Sequence, residues 1–219
     1  MNIGTFHILQ QPDHLPDHQV IEEHLEQIAY AEELGCNSVW LAEHHFSPYG
    51  IICDPLVYGA AVARITKRVR IGLAVSVLPL HQPVALAERV AMVDQLSNGR
   101  LNLGVGSGYQ QIEFDGFGLP MEESKARFQE TLGLMKRLWT EDHVSHHSDF
   151  FDVKDIGLRP KPFQKPYPPI YVAASNPSSV EWVARERLRL LSYQVFTPLS
   201  EAVKRRDTYI ETRKAAGDS

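Results

Sequence analysis

The sequence predicts an α/β fold of the (β/α)8 TIM-barrel type, with about six of the eight strand–helix units present. Three observations predict it. Short β-rich runs alternate with helical patterns along the whole chain, as when parallel strands are joined by crossover helices. Runs such as "RIGLAVSVL" (70–78) are almost continuously apolar, which suits strands buried on both faces of a parallel sheet. Polar residues stand at the C-terminal ends of several runs: Glu43–His44–His45, Ser76, Ser107 and Ser175–Asn176. A doubly wound sheet would place a phosphate turn after its first strand, and "HILQQPDHLPD" (7–17) holds none. Function dispersed over many strand ends is the barrel pattern.

The elements follow in order. "NIGTFHIL" (2–9) reads as the first strand. Ile21, Leu25 and Ile28 mark one face of a helix that Gly35 stops. "SVWLAEH" (38–44) is the second strand. A helix over 54–66 has Asp54 as its cap and Pro55 at its first position. The third strand is 70–78, followed by a helix from Pro83 to Leu96 that "SNG" ends. "RLNLGVGSG" (100–108) is the fourth strand, and a long connection leads to a helix near Glu122–Trp139. A hairpin is predicted over 144–153. The proline-rich "RPKPFQKPYPP" (159–169) leads into a fifth strand at 170–175 and a helix starting near Pro177 or Ser178. The sixth strand is predicted over 189–195, with a last helix from about Leu199.

The chain has 219 residues, 43% of them hydrophobic, which is enough to bury a core and suits a single domain over 1–219. A net charge of -5 leaves no broad basic surface, so nucleic acid is not an expected partner. Cys36 and Cys53 form neither a metal spacing nor a disulfide framework, and a reducing, cytoplasmic location is expected. The N-terminus lacks the basic start and apolar stretch of a signal peptide. The apolar run "IGLAVSVLPL" is too short to span a bilayer, so no membrane role is expected.

Side chains alternate along a strand, so His44 and His45 cannot both face the barrel mouth while the strand continues. A two-histidine metal site is therefore poor, and no metal is expected. One imidazole aimed at the mouth could act as a base or hydrogen-bond a bound ring. The alternative is a buried Glu–His pair tying the strand to its neighbour. "GVGSGY" (104–109) permits close backbone approach, or is simply a tight loop; Ser107 is in no nucleophile elbow. Ser175, Asn176, Ser178 and Ser179 crowd a strand end and a helix N-terminus, where amide and hydroxyl donors suit a phosphate. Capping alone needs only one of them.

"VWLAEHHF", "GLAVSVLPLHQPV", "DQLSNGRLNLGVGSGY" and "AASNPSSVEW", in this order, resemble the bacterial luciferase-like flavin-dependent monooxygenases over nearly the whole chain. The resemblance implies a barrel whose mouth binds reduced FMN, or a deazaflavin in some branches, supplied by a separate reductase. With O2, the reduced flavin delivers oxygen to a small organic substrate such as an aldehyde or ketone. Carried over by position, His44 is the catalytic histidine beside the flavin ring. Leu73–Ala74 matches a non-proline cis peptide beneath that ring, and Glu43, Gly106, Ser107 and Gly108 line the cofactor. Ser175, Asn176, Ser178 and Ser179 match the phosphate site. Ser107 stands where luciferase has a phosphate-binding arginine. Family members run about half as long again, and a shortened relative binds a flavin derivative without turnover, the alternative expectation here. "GAAVA" (59–63) matches the region through which luciferase subunits pair, implying a possible homodimer.

Overall fold

The computed structural model describes residues 2–12, 14–193 and 198–218. Strand β1 (Gly4–His7) leads to helix α1 (Asp17–Glu33), β2 (Ser38–Leu41) and α2 (Pro55–Ile65). β3 (Arg70–Leu73) and β4 (Ser76–Val77) precede α3 (Pro83–Leu96). Next come β5 (Leu101–Gly106), the short α4 (Gln111–Phe117) and α5 (Ser124–Thr140). The hairpin β6 (Val144–His147) and β7 (Asp152–Ile156) precedes β8 (Ile170–Ala173), α6 (Pro177–Arg185), β9 (Arg189–Leu191) and α7 (Leu199–Ala215).

Local chemistry explains the boundaries. The Asp54 carboxylate accepts from the amides of Leu56 and Val57 at 2.9 and 3.2 Å, capping α2 ahead of Pro55. Gln82 caps α3 by accepting from the Ala85 amide at 2.7 Å. Gly35, at φ 88°, turns the chain out of α1. The third predicted strand is broken in two. Its pairing to β2 stops at Leu73, and β4 then pairs with β5 alone. Between them the Ala74–Val75 peptide is cis. The sixth strand ends at Leu191; positions 194 and 195 of the predicted run lie outside the described residues.

The main sheet is parallel, in the order β1-β2-β3-β5-β8-β9, with β4 added beside β5. It is a curled half-barrel whose two ends, β1 and β9, pair with nothing further in the sheet. β6 and β7 form a separate antiparallel ribbon.

Alternation gives the sheet two unlike faces. On the outer face Leu41, Ile71, Leu73, Leu101, Leu103 and Val172 are buried against the helices. Truncating such a leucine to alanine costs about 2–5 kcal/mol. On the inner face Phe6, Trp40 and Gly72 stand in one row of the register. A Cβ on Gly72 would lie 2.2 Å from the Trp40 ring, so only glycine lets the indole lie across β3. The Trp40 ring meets Tyr171 of β8 edge-on at 5.2 Å, and the Arg189 guanidinium covers Tyr171 from β9.

Candidate functional site

The C-terminal ends of the parallel strands share one rim, and the loops that follow β2 and β5 build the candidate site there. His44 and His45 point to different partners. His44 Nδ1 lies 3.1 Å from Glu113 Oε1, whose carboxylate also accepts from the His45 amide at 3.2 Å. A carboxylate only accepts, so Nδ1 carries the proton, and His44 is the tautomer with a lone pair on Nε2. The Gln110 amide group lies 2.8 Å from the same Nδ1. An amide NH2 cannot donate to a nitrogen that carries a proton, so the Gln110 side-chain oxygen is assigned to this contact and shares the Nδ1 proton with Glu113. Among the described residues, no protein group takes His44 Nε2.

His45 turns the other way. Its Nε2 lies 3.1 Å from Glu43 Oε1, which His81 Nε2 also reaches at 2.9 Å. Glu43 Oε2 accepts from the Val77 amide at 3.1 Å. Burial pushes the Glu43 carboxyl up, but the donors from His45, His81 and Val77 outweigh it and hold its pKa at about 2. Glu43 has no exposed side chain and both oxygens are engaged, so it supports the rim from behind. The network continues outward. Arg89 of α3 reaches His81 Nδ1 at 3.2 Å and pairs with Asp54, the cap of α2.

The expected cis peptide at Leu73–Ala74 needs correction. The cis bond lies one peptide later than expected, at Ala74–Val75, and the Leu73 side chain is fully buried in the core on the helix side of the sheet. Ala74 and Val75 are the half-buried pair on the rim. Gly106 and Gly108 serve protein packing. A Cβ on Gly106 would lie 2.7 Å from the Val75 side chain. Gly108 has φ 80° and faces Phe114 and Val77. Ser107 is half-buried between them. At the end of β8, Asn176 Oδ1 accepts from the Ser179 amide and the Ser178 hydroxyl, both at 2.9 Å. Capping thus uses the Asn176 carbonyl, while Ser175 and Ser178 stay exposed at the start of α6.

Sequence reasoning missed Glu113, Gln110 and an aromatic rim. Tyr49 meets the His44 ring edge-on at 4.8 Å, and Tyr109 stands 6.3 Å from it. The Tyr49 phenol lies beside those of Tyr109 and Tyr193, drawing together the loops after β2, β5 and β9. Partial desolvation, then the neighbouring Tyr49, pushes the phenol of the otherwise exposed Tyr109 up to about 12, so it stays protonated at neutral pH. Phe46 adopts φ 58°, a left-handed backbone that costs a bulky residue about 1–2 kcal/mol. Its ring packs on Phe117 at 5.3 Å and fills the space beside Gly116. The ending "GFG" after "QIEFD" was the available signal for α4, since Gly118 closes that helix at φ 66°.

The family described as "Luciferase-like monooxygenase" matches residues 1–219. The chain belongs to the luciferase-like monooxygenases. It is 31% identical to the alkanal monooxygenase alpha chain of Photorhabdus laumondii over 191 residues, covering 87% of this chain and 53% of that one. It is 32% identical to the oxygenase component of the flavin-dependent trigonelline monooxygenase of Acinetobacter baylyi, covering 82% and 50%. The crystal structure of the monooxygenase RslO1 from Streptomyces bottropensis superposes with a TM-score of 0.94 at 33% identity, covering all of this chain and 68% of that one. This luciferase-like chain therefore spans about half the length of the curated relatives it matches. No described helix is long and apolar enough to cross a membrane.

Proposed function

We propose that the chain is the oxygenase part of a two-component flavin monooxygenase, using O2 and reduced FMN, with a deazaflavin as the alternative cofactor. Its substrate is a small organic molecule such as an aldehyde or ketone, and a separate cytoplasmic reductase supplies the reduced flavin. The observation that carries this reading is His44: an imidazole on the rim with Nδ1 fixed by Glu113 and Nε2 unengaged. The reduced flavin supplies two electrons, so that one oxygen atom enters the substrate and the other leaves as water. The chain supplies placement and a proton site. His44 Nε2 takes up a proton at the mouth and returns it, while Glu113 balances the imidazolium charge that forms. The donors left for a cofactor phosphate are the hydroxyls of Ser175 and Ser179 and the Ser178 amide at the start of α6, since Asn176 already holds the Ser178 hydroxyl and the Ser179 amide. The half-buried backbone at Ala74–Val75 offers a flat edge for the ring system. Glu43 acts indirectly, by fixing His45, His81 and the segment after the cis peptide.

Exposed Val57, Ala61 and Ile65 on α2, with Met92 and Leu96 on α3, support pairing of two copies through these helices.

The test is anaerobic titration with reduced FMN and with reduced deazaflavin, followed by oxygen and a panel of aldehydes and ketones. Substrate-dependent oxygen uptake, lost in His44→Ala, supports the reading; a chain that binds neither cofactor sinks it. The second reading is a flavin-binding protein without turnover. Tight flavin binding with no substrate-dependent oxygen uptake would establish that one.

A further inference from the structure

We infer that the substrate of this site is a planar aromatic compound carrying an oxygen substituent, rather than a long aliphatic aldehyde; this rests on the proposed oxygenase function. The exposed apolar surface around His44 is made of rings. Tyr49 and Tyr109 stand against the His44 imidazole, and Tyr193, in the loop after β9, lies beside Tyr49. Phe46 and Phe117 form a second pair against the neighbouring His45 ring, at 5.7 and 4.8 Å. Tyr109 is 68% exposed and Phe46 57% exposed, and Phe46 is held out in a left-handed backbone that its side chain disfavours. Among the described residues these rings form a contiguous exposed aromatic rim at the strand ends.

The chemistry selects the ligand. Rings gain from offset and edge-on contact with another ring, beyond the area they bury, and an alkyl chain gains only the area. A phenol hydroxyl can both donate and accept, which Tyr49 and Tyr109 offer beside His44. That suits a phenol or a quinone-like carbonyl on the ligand, with its oxygen beside His44 Nε2, the proton site.

The test uses the intact chain and two probes, 2-naphthol and decanal, in equilibrium dialysis with and without reduced FMN under anaerobic conditions. The expected result is an affinity for 2-naphthol about tenfold above that for decanal, retained when FMN is bound. Tyr109→Ala should lower naphthol affinity about fivefold and Tyr109→Phe less, with decanal affinity unchanged. Because Tyr109 is exposed, both variants keep their thermal midpoint. Equal affinities or a preference for decanal overturn the inference while leaving the flavin reading intact. Mutual exclusion of naphthol and FMN also overturns it, since the rings would then hold the cofactor. A change of molecular mass in Tyr109→Ala, with naphthol binding unaltered, overturns it as well by making the rim a protein contact. Ring-dependent naphthol binding by a chain that takes no flavin supports the ligand class and removes the oxygenase function.

Discussion

Two glutamate–histidine pairs lie side by side at the end of β2, and they differ in almost everything but composition. His44–Glu113 joins two loops at the rim and leaves one imidazole nitrogen unengaged. His45–Glu43 is closed: the carboxylate has three donors, its pKa is held at about 2, and its side chain has no exposed surface. One pair has spare hydrogen-bonding capacity and the other has none. The difference teaches that a titratable pair is a candidate for chemistry by what it leaves unsatisfied, not by its residue types.

The comparison can be broken most directly at the histidine. His44→Ala should reduce substrate-dependent oxygenation by at least about 100-fold. Circular dichroism melting should show its midpoint close to that of the parent; a protein that unfolds instead would put His44 with the structural pair. Glu43→Gln makes the opposite test. It removes a buried charge that three donors stabilise, and urea unfolding should register a loss of about 3 kcal/mol, with a melting midpoint lower by about 6–12 °C. Unchanged stability there would erase the distinction. Glu113→Gln should be milder. Oxygenation should fall about tenfold, because the imidazolium that forms loses its counter-charge. A stability loss as large as that of Glu43→Gln would make both pairs structural.

Acid titration sharpens the same contrast with the smallest effect. Outside the site, His7 of β1 is buried against His24 of α1, with ring nitrogens 3.1 Å apart. Burial, then the His24 charge, lowers the His7 pKa from 6.5 to about 4. The folded state resists this proton, so its contribution to stability is complete above pH 6.5 and declines down to about pH 4. The Glu43 contribution is complete above pH 4.5 and is lost only as pH falls through about 2. Amide exchange should therefore show α1 loosening before the β2–β4 rim. The reverse order would contradict the closed nature of the Glu43 network.

Much of the fold was legible because its signals are local. The Asp54 cap, the Gly35 stop and the hairpin near 144–153 each depend on residues within a few positions. The parallel sheet was legible from apolar runs, and the different directions of His44 and His45 from strand alternation. The partner of His44 was not, because Glu113 lies 69 residues away on a seven-residue helix of ordinary composition. The cis peptide was placed one residue early, since neither alternation nor hydrophobicity marks a peptide isomer. The closed Glu43 network was not legible either, because nothing local shows that His81 and the Val77 amide turn back onto Glu43.

The three tryptophans divide along the same inner and outer faces. Trp139 is buried with its indole donating to the Ala87 carbonyl, and Trp182 packs against Phe128 in the helix layer. Trp40 alone lies on the inner face, half-buried across Gly72. A chain carrying Trp139→Phe and Trp182→Phe would thus hold a single built-in fluorophore on the inside of the half-barrel. Its emission would shift to the blue when another segment or molecule covered that face, giving a direct optical readout of how open the sheet is in solution.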